Sequence, residues 1–174
     1  RRSHEHTMRP HHLLLLLLTL LALPPDLAST SDACPSDEAS SGVYVSFVTV
    51  SRIDSYRGDM AGRLRNWIEF VTHQCRSHSV RSEVVIVEWN PLEGVHAIAD
   101  TLRDLVGEED IPVKVVTVEH EFHSKVEAGT KQTFLEFIGK NIGGRRARGE
   151  MLLFSNPDNM FSEELYKALA KEKL

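Results

Sequence analysis

From residue 43 onward, two hydrophobic periodicities alternate along the chain. Val43–Ser51 (VYVSFVTVS) is rich in β-branched residues and reads as a buried strand. Within Asp59–Gln74, the residues Met60, Leu64, Trp67, Ile68 and Val71 recur at the spacing of one helix face. Val84–Val87 is a second strand-like run, closed by Trp89-Asn90-Pro91. His96–Val106 returns to helical spacing through Ile98, Leu102 and Leu105, and Val113–Val118 gives a third strand. Thr130–Arg148 reads as one helix, with Phe134, Phe137, Ile138 and Ile142 forming its apolar stripe. Met151–Phe154 is a short fourth strand, and Ser162 followed by Glu163 and Glu164 has the form of a helix N-cap.

This alternation predicts an α/β fold: a mostly parallel, Rossmann-like sheet with helices on both faces. Ligands of such sheets bind beyond the carboxyl ends of the strands, where strand order reverses. The segments to weigh for function are therefore 51–55, 88–91, 119–123 and 155–161.

The first 42 residues follow another pattern. A short basic stretch after Met8 leads into Leu13–Leu23, an apolar run of 11 residues. Pro24-Pro25 breaks it, and small residues follow at Ala28, Ser29 and Ala33. That is the order of a secretory signal peptide. The run is too short for the roughly 20 residues that a membrane-spanning helix needs. We read residues 1–33 as a signal peptide with upstream residues, 34–42 as a linker, and 43–174 as the folded domain. The expected location is the secretory pathway, in the ER or Golgi lumen or outside the cell, with no stable transmembrane span.

Composition adds exclusions. The formal net charge of −5 argues against a general nucleic-acid binder. Cys34 and Cys75 have no metal-ligand spacing; they can pair in an oxidising lumen or remain two free thiols. No Walker loop, nucleophile elbow or Rossmann glycine fingerprint is present, and the first strand is followed by Arg52-Ile53-Asp54 with no glycine before Gly58. A dinucleotide oxidoreductase is thereby disfavoured.

The most informative segment is Gly139–Phe161 (GKNIGGRRARGEMLLFSNPDNMF). An acidic residue just after a buried strand is well placed to hold a divalent metal, which can neutralise a diphosphate. A glycine such as Gly143 inside a helix costs about 1 kcal/mol relative to alanine, so it needs a packing or ligand reason. Piece by piece, a helix C-cap at Gly149 and a tight turn at Asn156-Pro157-Asp158-Asn159 account for the same residues.

As one ordered string, Asn141-Ile142-Gly143, Arg145 to Glu150, an apolar strand and Asn156-Pro157-Asp158 resemble the GT-A nucleotide-sugar glycosyltransferases of the family-2 type. Those enzymes show an N-x-G-x-x-x-A-x-G segment and then a strand ending in a D-x-D-like motif. Val45–Ser51 with Arg52 and Asp54 is similar to the family's first strand and nucleotide loop, and Val84–Glu88 to its second strand. The resemblance covers residues 43 to about 172, the donor-binding half, so the expected fold is a GT-A domain truncated at its C-terminus.

It implies transfer of a sugar from a nucleotide diphosphate donor to an acceptor (glycan, protein or lipid) that the sequence does not identify. Glu88 would contact the nucleoside, and Arg52, Asp54 and Asn141 would belong to the same nucleotide-sugar site. Arg145 or Arg146 would face the diphosphate, unless they form a solvated basic face. Asn156 and Asp158 would stand at the two motif positions, with Asp158 the ligand of Mn²⁺ or Mg²⁺. Asn156 departs from the carboxylate the motif wants, which leaves one strong ligand. The implied catalytic base lies in the other half, so the chain alone is expected to be inactive. The alternative is a non-catalytic secreted α/β module that binds a nucleotide or a protein.

Three features remain. Arg145-Arg146-Ala147-Arg148 matches a basic processing site, disfavoured by a helical reading of that segment. His120-Glu121-Phe122-His123 has the elements of a zinc site but reads better as a solvated loop. Trp89 is a packing residue or a stacking platform for a nucleobase.

Overall fold

A computed structural model describes residues 42–56, 58–103, 111–126 and 131–172. Its centre is a four-stranded sheet of β1 (Val45–Ser51), β2 (Ser82–Trp89), β3 (Val113–Val118) and β4 (Met151–Phe154). All pairings are parallel and the order is β3-β2-β1-β4. The helices are α1 (Met60–Ser77), α2 (Ile98–Leu102), α3 (His120–Val126), α4 (Glu136–Gly144) and α5 (Glu163–Leu169). The α/β class expected from the alternation is what forms.

Side chains alternate across the two central strands, as the pleat demands. Val45 and Phe47 of β1, with Val84 and Ile86 of β2, face one side. There they meet Leu64, Trp67, Ile68, Val71 and Cys75 of α1, Ile98 and Leu102 of α2, and Tyr166 and Leu169 of α5. The opposite face carries Val50, Val87, Trp89 and Val118, covered by Phe134, Leu135, Ile138 and Ile142. Helices therefore pack on both faces, and every β1 and β2 side chain is buried. No helix among the described residues is long and apolar enough to cross a membrane.

Several boundaries differ from the sequence reading. β2 extends past Val84–Val87 at both ends because Glu83 and Glu88, polar by type, are buried within it. α2 covers only Ile98–Leu102 of the expected helix; residues 104–110, including Leu105, lie outside the described set. His120–His123, expected as a solvated loop, instead open the helix His120–Val126.

Of the expected helix over 130–148, Glu136–Gly144 is helical, and of its expected stripe Phe134, Ile138 and Ile142 pack on the sheet while Phe137 does not. Gly139 and Gly143 are the buried residues of α4 and make its closest approach to the sheet, while Phe137 is 81% exposed. A Cβ on Gly139 would lie 2.7 Å from Val50, and one on Gly143 would lie 2.6 Å from Val48. Close helix-on-sheet packing is the reason these positions lack side chains. Gly149 is not a C-cap; a Cβ there would meet the backbone nitrogen of Ser46 at 2.6 Å. The arginine run follows α4 in a turn rather than lying within it. Residues 1–41, with the expected signal peptide, Cys34 and nearly all of the linker, are outside the described residues.

Candidate functional site

The chain leaves β1 across one face to β2 and enters β4 after crossing the other, so strand order reverses between β1 and β4. A cavity of about 530 Å³ opens at the carboxyl ends of these two strands. This is the crevice that doubly wound sheets offer to ligands. Its walls come from the end of β1 and the loop after it (Val50, Arg52, Asp54, Tyr56), the first turn of α1 (Met60, Arg63), the entry to α4 (Thr133, Phe134, Glu136) and the turn after β4 (Asn156, Pro157, Asp158).

The loop after β1 is internally braced. Asp54 accepts from Arg52 Nε at 3.2 Å and Nη2 at 3.0 Å, and its other oxygen accepts from Tyr56 N–H at 2.9 Å. Arg52 Nη1 donates to Thr133 O at 3.0 Å, and the guanidinium sits over the Phe134 ring, 5.8 Å from its centroid. Arg52 is thus a strut between β1 and the entry to α4. Arg63 closes the loop from below, donating to Tyr56 O at 2.7 Å. Asp59 caps α1 by accepting from Gly62 N at 2.8 Å.

The turn after β4 is fixed by Asn159 N–H donating to Asn156 O at 3.1 Å, and by Trp67 Nε1 of α1 donating to Asn159 O at 3.2 Å. Lys140 of α4 donates to Glu136 at 2.6 Å and to Asn156 Oδ1 at 3.1 Å. Asn156 therefore receives a hydrogen bond from a lysine ammonium. Among the described residues, no hydrogen bond or ion pair engages the Asp158 side chain.

No protein-family model, curated protein or solved structure matches this chain.

Four of the seven residues singled out in the sequence, Arg52, Asp54, Asn156 and Asp158, line the cavity together. The other three do not reach it. Glu88 is 1% exposed and is turned toward the start of α2, away from the cavity walls, where it accepts from Ile98 N at 2.9 Å and Thr117 Oγ1 at 3.2 Å. It anchors the start of α2. Because Gly139 lies over Val50 and Gly143 over Val48, α4 runs antiparallel to β1. That places Arg145, just past its C-terminus, at the far end of the sheet, and Asn141 on its exposed side.

Tyr56, Arg63, Glu136 and Lys140 escaped the sequence reading. Glu136 and Lys140 are four residues apart within the expected helix, so their pairing was available as an i,i+4 signal. Tyr56 and Arg63 carried no pattern of their own. His123 is not a solvated residue; it is buried, and its Nδ1 accepts from Trp89 Nε1 at 3.1 Å. That bond, with burial, makes Trp89 a packing residue. No group of three His, Cys, Asp or Glu side chains among the described residues is placed to hold a metal.

Proposed function

We propose that this chain is the donor-binding part of a nucleotide-sugar glycosyltransferase and that the cavity between β1 and β4 holds the nucleotide diphosphate. One observation carries the reading. Arg52 and Asp54, and Asn156 and Asp158, come from segments about a hundred residues apart, were named from the sequence, and line one cavity at the reversal of strand order. The cavity lies within the roughly 300–1,000 Å³ range of small-molecule sites.

The donor set fits a metal that arrives with its substrate rather than one caged by protein. Mg²⁺-type sites use one or two carboxylates and complete their shell with phosphates and water, and Asp158 supplies one carboxylate. Asp158 would hold Mn²⁺ or Mg²⁺, whose role would be to offset charge on the departing diphosphate. Asn156 contributes less, since its amide oxygen already accepts from Lys140. The Arg52–Asp54 pair sets the shape of the loop, and Tyr56, 62% exposed on the wall, offers a ring face to a nucleobase.

Transfer also needs a base for the acceptor hydroxyl. Asp54 is held by Arg52 and Glu136 by Lys140, so Asp158 alone among the described wall carboxylates is unengaged, and it is assigned to the metal. The chain is accordingly proposed to bind donor without turning it over. Calorimetry with UDP and GDP, with and without Mn²⁺, tests this reading. Metal-dependent binding that is lost in Asp158→Ala supports it. Absence of nucleotide binding under all conditions favours a secreted interaction module.

A further inference from the structure

Charge around the cavity pairs off unevenly. Arg52 is matched by Asp54, and Lys140 by Glu136. Two charged wall residues are left over, Arg63 and Asp158, and neither takes part in an ion pair among the described residues. Arg63 stands in the first turn of α1, held through its backbone N–H to Asp59 O at 3.2 Å. One terminal nitrogen, Nη2, donates to Tyr56 O and contacts Met60 Sδ at 3.7 Å. Its Nε–H is shielded from solvent and has no hydrogen-bond partner.

That unpaired, shielded donor costs on the order of 1–3 kcal/mol and lies out of a ligand's reach; the nitrogen left open to a ligand is Nη1, which no hydrogen bond engages among the described residues. The guanidinium fork suits the oxygens of a phosphate, as an isolated ammonium does less well. The rest of the wall offers an anion little. Arg52 commits three of its five N–H groups to Asp54 and Thr133 and its charge to the Asp54 carboxylate, and the Asp59 side chain occupies one of the first N–H groups of α1.

We propose that Arg63 is the anion contact of this cavity, the side chain that meets the diphosphate of the bound nucleotide. This rests on the nucleotide reading above. Arg52, which the sequence favours by its place after β1, is a positioning residue that keeps the loop in shape. Arg63 and Asp158 then divide the diphosphate between a direct contact and a metal-mediated one.

Binding of inorganic pyrophosphate, UDP, GDP and the unphosphorylated nucleosides to the full chain tests this, with Arg63→Gln and Arg63→Lys as variants and far-UV circular dichroism as the folding control. Arg63→Gln is expected to weaken pyrophosphate and nucleoside diphosphates tenfold or more while leaving nucleosides within about twofold. Arg63→Lys, which keeps charge and loses the fork, is expected to fall between and serves in place of a glutamine variant that does not fold. Nucleoside diphosphate binding unchanged in both variants overturns the assignment and leaves the nucleotide reading standing. Arg63-dependent pyrophosphate binding with no preference for nucleotides sustains Arg63 and removes the nucleotide reading. No binding of any probe by the unaltered chain overturns both.

Discussion

Glu83 shows how a single buried charge can set the course of the chain. It is 1% exposed near the start of β2, and it accepts from Ser46 Oγ at 2.7 Å, from Arg148 N–H, and from Arg148 Nε at 3.1 Å. Ser46 Oγ in turn accepts from Gly149 N at 2.8 Å. Arg148 and Gly149 are thereby pinned to β1 and β2, which fixes where β4 begins. Burial pushes the Glu83 carboxyl upward, but the Arg148 backbone N–H, the Ser46 hydroxyl and the Arg148 guanidinium outweigh it, so its pKa lies below the ordinary value. A depressed folded pKa means that the contribution is present above the unfolded carboxyl's titration, near pH 4.3, and is lost as pH falls through the folded one. Glu83→Gln should cost about 2 kcal/mol in urea unfolding at pH 7, the scale of a charged hydrogen bond whose partner can rehydrate. The gap from wild type should narrow as the pH is lowered below 4. A gap independent of pH would show that the carboxylate charge is not what matters.

Cys75 makes a second residue-scale prediction. It carries a free thiol, fully buried on α1, and burial pushes its pKa to about 11 despite a lowering hydrogen bond with Ser82. The reactive form is the thiolate. Cys75 should therefore resist alkylation at pH 8 in the folded protein and react at once in denaturant; fast labelling of the native chain would contradict this placement.

At the scale of elements, α4 is held against the sheet by what it lacks. Gly139 and Gly143 let its axis approach Val48, Val50 and Val87, and the flanking Ile138 and Ile142 fill the space beside β2 and β3. An added methyl raises helix propensity by about 1 kcal/mol, yet overpacking costs typically 1–3 kcal/mol. With contacts of 2.6 and 2.7 Å the packing cost falls at the upper end of that range and wins: Gly143→Ala and Gly139→Ala should each destabilise the fold by about 1–2 kcal/mol in denaturant titrations. Gly144→Ala, where the nearest atom is Phe154 at 3.0 Å on an exposed side chain, should be milder.

The same helix shows what the sequence can convey. β3 and β4 were legible to the residue because their apolar runs are short and bounded by polar or turn-forming residues. α4 was located with three of its four stripe residues, Phe134, Ile138 and Ile142, on the sheet side; the sheet-facing glycines carry no apolar signal, and the exposed Phe137 supplies a false one. α3 was hidden because its seven residues carry four titratable side chains, of which only His123 is turned inward. Half of the candidate site was visible for the opposite reason. Arg52, Asp54, Asn156 and Asp158 directly follow clear strands, so topology alone sends them to the ligand edge. Glu88 follows the same rule and fails it, because a buried hydrogen bond to the start of α2 turns its side chain away from the cavity.

For the whole molecule, the cavity joins parts distant in sequence. Arg52 ties the loop after β1 to the entry to α4, Lys140 ties α4 to the turn after β4, and Trp67 ties that turn to α1. A ligand spanning Arg63 and Asp158 would bridge α1 and the β4 turn, and ligands that bind only the folded state stabilise it by mass action. At a hundredfold excess over Kd the gain is about 2.7 kcal/mol, which should raise the unfolding temperature by several degrees. With UDP or GDP plus Mn²⁺, the unaltered chain should show that rise, and nucleotide alone should give a smaller one. Asp158→Asn should abolish the increment due to Mn²⁺ and keep the smaller rise, since it removes the carboxylate proposed to hold the metal and leaves Arg63 in place. Arg63→Gln should reduce both. An Mn²⁺ increment that survives in Asp158→Asn would place the metal elsewhere and detach Asp158 from the diphosphate.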